Sequence, residues 1–296
     1  MPGAQNRSMK LVTWNIQWCR GCDGVVDPQR IVDDALAFAG GDIDVFCLQE
    51  VASNFGEPAL KGSRGEDQFA ELAARFPGHT SVPGIAVDVA GAGGTRRRFG
   101  NMILSRYTVR QVLRHQLPWP ADPGKRSMPR LLLETLVDAP FGPLRVMTTH
   151  LEYYSQTQRA AQVEAVRARH AEACGHAHGP GAPDAKGDPF DAQAQTCSTV
   201  LTGDFNFRPE DPLHARLTAA FDDPARVPAL QDAWASLYPG TNQPPTLGVH
   251  DHDQWPDAYA SDFICTSADL RPRLRRVAVD TTTAASDHQP VLIELA

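Results

Sequence analysis

No stretch of this 296-residue chain approaches the roughly 20 consecutive apolar residues needed to cross a bilayer. The leading Met1-Pro-Gly-Ala-Gln-Asn-Arg-Ser8 lacks the apolar core of a secretory signal, so residues 1–8 read as a flexible tail. A cytoplasmic location, without stable membrane insertion, is the expectation. Blanket positive charge is missing too. With 28 Lys and Arg against 35 Asp and Glu, the net charge of −7 argues against a protein whose affinity rests on general attraction to nucleic acid or anionic lipid and leaves room for local basic patches. Paired cysteine spacing is scarce. Only Cys19-Arg-Gly-Cys22 has zinc or redox spacing, and no second pair matches it, so these read as loop thiols. Cys47 and Cys265 interrupt apolar runs as small buried residues would, which speaks against a disulfide framework. Neither a repeat nor a dividing linker is evident, so residues 9–296 are expected to form one domain.

What the chain has is a succession of apolar, β-branched runs. They are Lys10–Ile16, Asp44–Leu48, Asn101–Leu104, Val109–His115, Arg130–Val137, Leu144–Thr149, Ser198–Leu201, Ser261–Thr266, Leu274–Val279 and Pro290–Leu295. Several are continuously apolar, as strands covered on both faces are. Amphipathic helices are expected at Pro28–Ala39, Asp67–Arg75, Gln156–Ala173 and Asp211–Phe221, the first opened by Asp27-Pro28. The mixture suits an α+β arrangement better than a strict βαβ repeat. Cys174–Gln195, rich in Gly, Pro and His, reads as a loop insertion at about 174–195. His170, Cys174, His176 and His178 have spacing compatible with zinc, but the flanking Gly and Pro favour a plain loop.

Polar residues close four of these runs. Val12-Thr-Trp-Asn15 ends in an amide, Val45-Phe-Cys-Leu-Gln-Glu50 in a carboxylate, Val146-Met-Thr-Thr-His150 in an imidazole and Leu201-Thr-Gly-Asp204 in a second carboxylate. Taken singly, each suits a turn or a solvated loop. Taken together on adjacent strands, they would form a rim with the hard oxygen ligands of a Mg²⁺ or Mn²⁺ site and a histidine beside it. Asn206, two residues past Asp204, would share its face of the strand. Ser286-Asp287-His288 precedes the last apolar run, and Asp262 opens another. A histidine held by a carboxylate suits proton transfer or contact with phosphate. Arg96-Arg-Arg98 feeds into Gly100-Asn101, where arginines could meet phosphate or simply face solvent. Arg159 and Gln162 could reach the same pocket from a helix, or serve the fold. Trp14, Trp18, Trp119, Trp234 and Trp255 are scattered and read as core or rim residues.

In order, Thr13-Trp-Asn15, Leu48-Gln-Glu50, Gly100-Asn-Met-Ile-Leu-Ser105, Thr149-His-Leu151, Gly203-Asp-Phe-Asn206, Ser261-Asp-Phe263 and Ser286-Asp-His288 resemble the endonuclease/exonuclease/phosphatase superfamily, in its histidine-bearing, DNase I-like form. The resemblance implies a four-layer α/β sandwich, two mixed β-sheets packed face to face with helices outside. It implies Glu50 as principal metal ligand with Asn15 and Asp287 beside the ion, and Asp204 as the group that orients or deprotonates water. It implies His288 paired with Asp262, and His150, Asn101 and Asn206 at the phosphate. Gln17 stands where apurinic endonucleases of the superfamily carry an acid, and Thr149-His-Leu replaces their tyrosine-bearing segment. The histidine form looks more like deoxyribonucleases, neutral sphingomyelinases, inositol polyphosphate phosphatases and tyrosyl-DNA phosphodiesterases. The expected activity is that of a Mg²⁺- or Mn²⁺-dependent phosphodiesterase or nuclease-like hydrolase. The alternatives are hydrolysis of sugar, inositol or lipid phosphate esters, and an idle protein that binds a phosphate ligand. The partner is a phosphate ester, nucleic acid or small molecule, and the oligomeric state is open.

Overall fold

The computed structural model describes residues 8–181, 188–190 and 193–296. Strands β1 (Met9–Asn15), β2 (Val45–Ser53), β3 (Thr80–Ala90), β4 (Arg96–Ser105), β11 (Leu274–Val279) and β12 (Val291–Leu295) form one sheet in the order β11-β12-β1-β2-β4-β3. Strands β5 (Val109–Gln116), β6 (Leu131–Ala139), β7 (Gly142–His150), β8 (Thr199–Asp204), β9 (Leu230–Asp232) and β10 (Asp262–Ser267) form the other, ordered β5-β6-β7-β8-β10-β9. Each sheet is mixed. β1 runs parallel to β2 and β7 parallel to β8, while the remaining pairs are antiparallel.

The sheets pack face to face over an apolar core that includes Leu11, Val45, Ile103, Leu133, Val146, Val200 and Ile293. Helices α1 (Pro28–Phe38) and α2 (Gln68–Arg75) cover the outer face of the first sheet through Ile31, Leu72 and Phe46. Helices α3 (Gln156–His178) and α4 (Pro212–Thr218) cover the second through Val163, Val166 and Leu217. A short α5 (Ala233–Leu237) follows β9. The expected four-layer sandwich is therefore the fold. Each of these helices begins at an Asp or Ser whose side chain accepts from a first-turn N–H: Asp27, Asp67, Ser155, Asp211 and Asp232.

Three elements go beyond the sequence reading. β3 is a half-exposed edge strand whose apolar residues are interrupted by Pro83 and Gly84, which are tolerated at an edge. β9 and α5 span three and five residues, too few for a periodic signal. One expectation is corrected: α3 continues to His178, so the start of the expected insertion at 174–195 is helical. Val163, Val166, His170 and Cys174 on α3 are all buried, and this packing carries the helix past the Gly and His residues. Residues 182–187 and 191–192 of that segment, and 1–7 of the expected tail, lie outside the described residues. No described helix is long and apolar enough to cross a membrane.

Candidate active site

Strand direction gathers the polar strand ends. The parallel pairs β1/β2 and β7/β8 end on the same edge of the sandwich, and β10 and β12, antiparallel to their neighbours, begin there. Register brings His150 opposite Asp204 and Asp204 opposite Asp262. Gly203 makes this spacing possible: its φ is +143°, and a Cβ there would overlap the Thr149 carbonyl.

Asn15 ties the two sheets together. Its Nδ2 lies 3.2 Å from Glu50 Oε1, 3.0 Å from Asp204 Oδ2 and 3.4 Å from His288 Nε2, and its Oδ1 accepts from the Gln17 N–H. Glu50 reaches this position through a bulge in β2, where pairing with β4 slips between Leu48 and Val51. Glu50 itself is left-handed, with φ +60°, which costs on the order of 1 kcal/mol or more. Gln49 meanwhile stays between the sheets, donating to Thr13 and Thr148 hydroxyls. Without the bulge, strict alternation would point Gln49 and Glu50 to opposite faces with no room for this turn.

The two histidines carry different charge. Burial disfavours the His288 cation, yet the carboxylates of Asp262, Asp204 and Asp287 outweigh it and hold its pKa well above the usual value. Its Nδ1 is 2.8 Å from Asp262 Oδ2, which also accepts from the Thr246 and Ser261 hydroxyls. His150 is driven well below its usual value by burial and by the charges of Arg130 and His288, so it is neutral. Its Nε2 is 3.4 Å from Asp204 Oδ2. Burial pushes the Asp204 carboxyl up to about 6, against the opposing pull of His288 and the N–H donors of Asn206 and Asn15. Burial, helped by the nearby Asp287 charge, lifts Glu50 to about 7.

Glu50, His150, Asp204 and His288 line a cavity of about 540 Å³ together with Arg130, Asp287 and Asn206, while Asn15 and Asp262 lie outside its lining. Arg130 was not singled out from sequence. It is 5% exposed, its Nε donates to Glu152 at 3.2 Å, and its Nη1 has no protein partner. The signal was a lone charge at the start of the continuously apolar Leu131-Leu-Leu133. Asp287 accepts through one oxygen from Gln17 (2.8 Å), Trp255 (3.0 Å) and Gln254 (3.1 Å). Gln17, in place of an acid, thus supplies a hydrogen bond where a carboxylate would repel. Asn206, with φ +53°, donates to the Leu151 carbonyl. Asn101 does not line this cavity. It lines a space of about 10 Å³ behind it, shared with Arg130 and His150, and donates to the Leu131 carbonyl.

Other sequence candidates resolve into support. Arg159 donates to the Glu152 and Tyr153 carbonyls, and Gln162 accepts from the Glu152 N–H, so both fix the loop after His150. Arg96 and Arg98 pair with Asp88 across the β3–β4 hairpin, and Arg97 lies over the Phe55 ring. His170 has Nε2 2.8 Å from the Pro228 carbonyl and Nδ1 3.3 Å from Arg145, so both ring nitrogens are engaged within the fold. All six cysteines are free thiols.

Among the described residues, the trio of metal-binding side chains whose ligand atoms lie within 4.8 Å of one another is Asp204, Asp262 and His288. The 2.8 Å bond between Asp262 and a cationic His288 makes that trio an internal ion pair rather than a ligand set. A hard divalent cation fits better at Glu50, which lines the cavity with Asp287, while Asn15, whose Nδ2 faces Glu50 and whose Oδ1 accepts from the Gln17 N–H, orients the Glu50 carboxylate from behind. Mg²⁺ commonly takes one or two carboxylates, keeping water and substrate oxygens for the rest.

No curated protein sequence matches the chain. Solved structures do. An endonuclease/exonuclease/phosphatase from Beutenbergia cavernae is 24% identical with TM-score 0.69, covering 98% of this chain and 72% of that one. D. rerio TDP2 complexed with a single-strand DNA product is 18% identical with TM-score 0.60, over 98% and 99%. A Bacteroides thetaiotaomicron mannosyl-6-phosphatase is 16% identical with TM-score 0.63, over 98% and 100%. At these identities the likeness is one of fold. Residues 12–288 match the Endonuclease/Exonuclease/phosphatase family, and the chain belongs to that family of phosphoester hydrolases.

Proposed function

We propose that the chain is a divalent-cation-dependent phosphodiesterase. The observation that carries this reading is the division of charge around Asp204: a neutral His150, a cationic His288 and an Arg130 whose Nη1 is unpaired, all lining one cavity. A phosphoryl group there would meet Arg130 and His288 as cations that neutralise the charge gathering on its equatorial oxygens. Asp204, raised to about 6, is matched to accept a proton from water near neutral pH. As the water oxygen bonds to phosphorus, its proton passes to Asp204 and the bond from phosphorus to the leaving oxygen breaks. The departing alcohol takes its proton from solvent. His150, in the tautomer that carries hydrogen on Nε2, orients the Asp204 carboxylate, as does the Asn206 N–H that donates to Asp204 Oδ1. Mg²⁺ or Mn²⁺ held by Glu50, with Asp287 and Asn15 beside it, would add Lewis acidity toward a phosphoryl oxygen.

The test is hydrolysis of bis-p-nitrophenyl phosphate with and without Mn²⁺ by wild type, Glu50→Ala and His288→Ala, with circular dichroism to confirm folding. Both substitutions are expected to lower kcat/KM by at least about a hundredfold. Undiminished turnover in both folded variants would sink the mechanism. Hydrolysis of the monoester p-nitrophenyl phosphate in preference to the diester would move the assignment to a phosphomonoesterase.

A further inference from the structure

One wall of the cavity is aromatic, and the chemistry described so far makes no use of it. Tyr153 and Tyr154 follow His150 and are 39% and 48% exposed, an unusual pair of adjacent open rings. Their ring centroids lie 4.9 Å apart, edge to face, and Tyr153 meets the Trp255 ring at 5.8 Å, again edge to face. All three line the cavity, as do Trp18 and Phe55.

These rings sit on a fixed frame. Trp255 Nε1 donates to Asp287, the Tyr154 N–H donates to Glu152, and Arg159 holds the Tyr153 carbonyl. Trp18 is held by its Nε1 bond to the Lys61 carbonyl. A wall whose indoles and tyrosine backbone are already held has less freedom to lose on binding a flat ring. Arg126 lies 5.7 Å above the Tyr154 ring, so a cation borders the wall. A π system bound there gains from both ring edges and the guanidinium, whereas a saturated chain gains only from buried area.

We propose that this wall is a subsite for a planar aromatic substituent of the phosphate ester, an aryl group or a nucleobase. The inference rests on the phosphoesterase reading of the same cavity, since the phosphate is what places the ring against the wall. Tyr153 and Tyr154 then set specificity through the substituent, while the groups around Asp204 act on phosphorus.

The experiment compares phenylphosphonate with cyclohexylphosphonate, two non-hydrolysable anions of similar size, as competitive inhibitors of bis-p-nitrophenyl phosphate hydrolysis and as calorimetric ligands. Wild type is expected to bind the phenyl compound at least about fivefold more tightly. Tyr153→Leu should erase the preference and Tyr153→Phe should retain it. Adenosine 5′-phosphonate and phenylphosphonate, compared in the same assay, distinguish a nucleobase from a simple aryl group. Equal binding of the phenyl and cyclohexyl compounds by wild type overturns the subsite even if diester hydrolysis is robust. So does a preference unchanged in Tyr153→Leu. Tight, Tyr153-dependent phenyl binding without any hydrolysis would keep the subsite and instead remove the phosphodiesterase reading.

Discussion

Glu134→Gln tests whether the buried charge beneath the site is a support of the fold. Glu134 on β6 lies 2.6 Å from Arg145 Nε and 2.9 Å from His115 Nε2. Arg145 is fully buried on β7, the strand that ends at His150. Burial alone would raise the Glu134 pKa, but the His115 hydrogen bond and the Arg145 charge prevail and bring it from 4.5 to about 2. That depression corresponds to about 3 kcal/mol of stability. The folded pKa is the lower one, so the contribution is fully present above about 4.5 and disappears as pH falls to about 2. Removing the charge also strands Arg145, and breaking a buried pair typically costs about 3 to 5 kcal/mol. Urea denaturation at pH 7 should therefore place Glu134→Gln about 3 kcal/mol below wild type, with the deficit shrinking below pH 4.5. A variant as stable as wild type at pH 7, or a deficit constant down to pH 3, would refute the charge-pair account.

Two further outcomes follow from neighbouring groups. His170 is lowered from 6.5 to about 4 by burial and by Arg145, so wild type should lose up to about 3 kcal/mol as pH falls from 6.5 toward 4, and urea midpoints of His170→Gln should show a flatter slope in that window. His150 titrates in the same sense and leaves a residual slope in the variant. Glu152→Gln weakens the partner of Arg130, so we expect a loss of about 3 kcal/mol in denaturation and a KM that rises more than kcat falls in steady-state kinetics. Wild-type values for both would mean that Glu152 does not position the guanidinium.

The site was legible where chemistry sits at a strand end. Asn15, Glu50, His150 and Asp204 each close an apolar run, and Asp262 and His288 each adjoin one. The structure brings them to one rim. What sequence could not convey depends on geometry between segments. Alternation gives no hint of the bulge that turns Glu50, because the slip is defined only against β4. Arg130 owes its position to Glu152, and Trp255 owes its place at the rim to Asp287, each pair far apart in the chain. Asn101, expected at the phosphate, is absent from the cavity lining and donates to the Leu131 carbonyl, a partner that spacing along the chain does not reveal. In the fold, β3 escaped notice because Pro83 and Gly84, ordinarily breakers, interrupt its apolar residues Val82 and Ile85. Cys174 and the histidines of α3 carry zinc-like spacing, but hydrogen bonding to Pro228 and Arg145 commits His170 to the fold.

The matching strand orders of the two sheets give the cavity an approximate internal dyad. β12, β1, β2 and β4 correspond in place and direction to β6, β7, β8 and β10. The correspondence extends to chemistry: Asn15 ends one parallel pairing with Glu50 just past it at the β2 bulge, and His150 and Asp204 end the other. His288 shortly precedes β12, as Arg130 precedes β6. Each half thus brings a neutral hydrogen-bonding group, a carboxylate and a cation to the one site. The apolar layer between the sheets is therefore the part that sets the alignment of the two halves, and with it the distances on which catalysis depends.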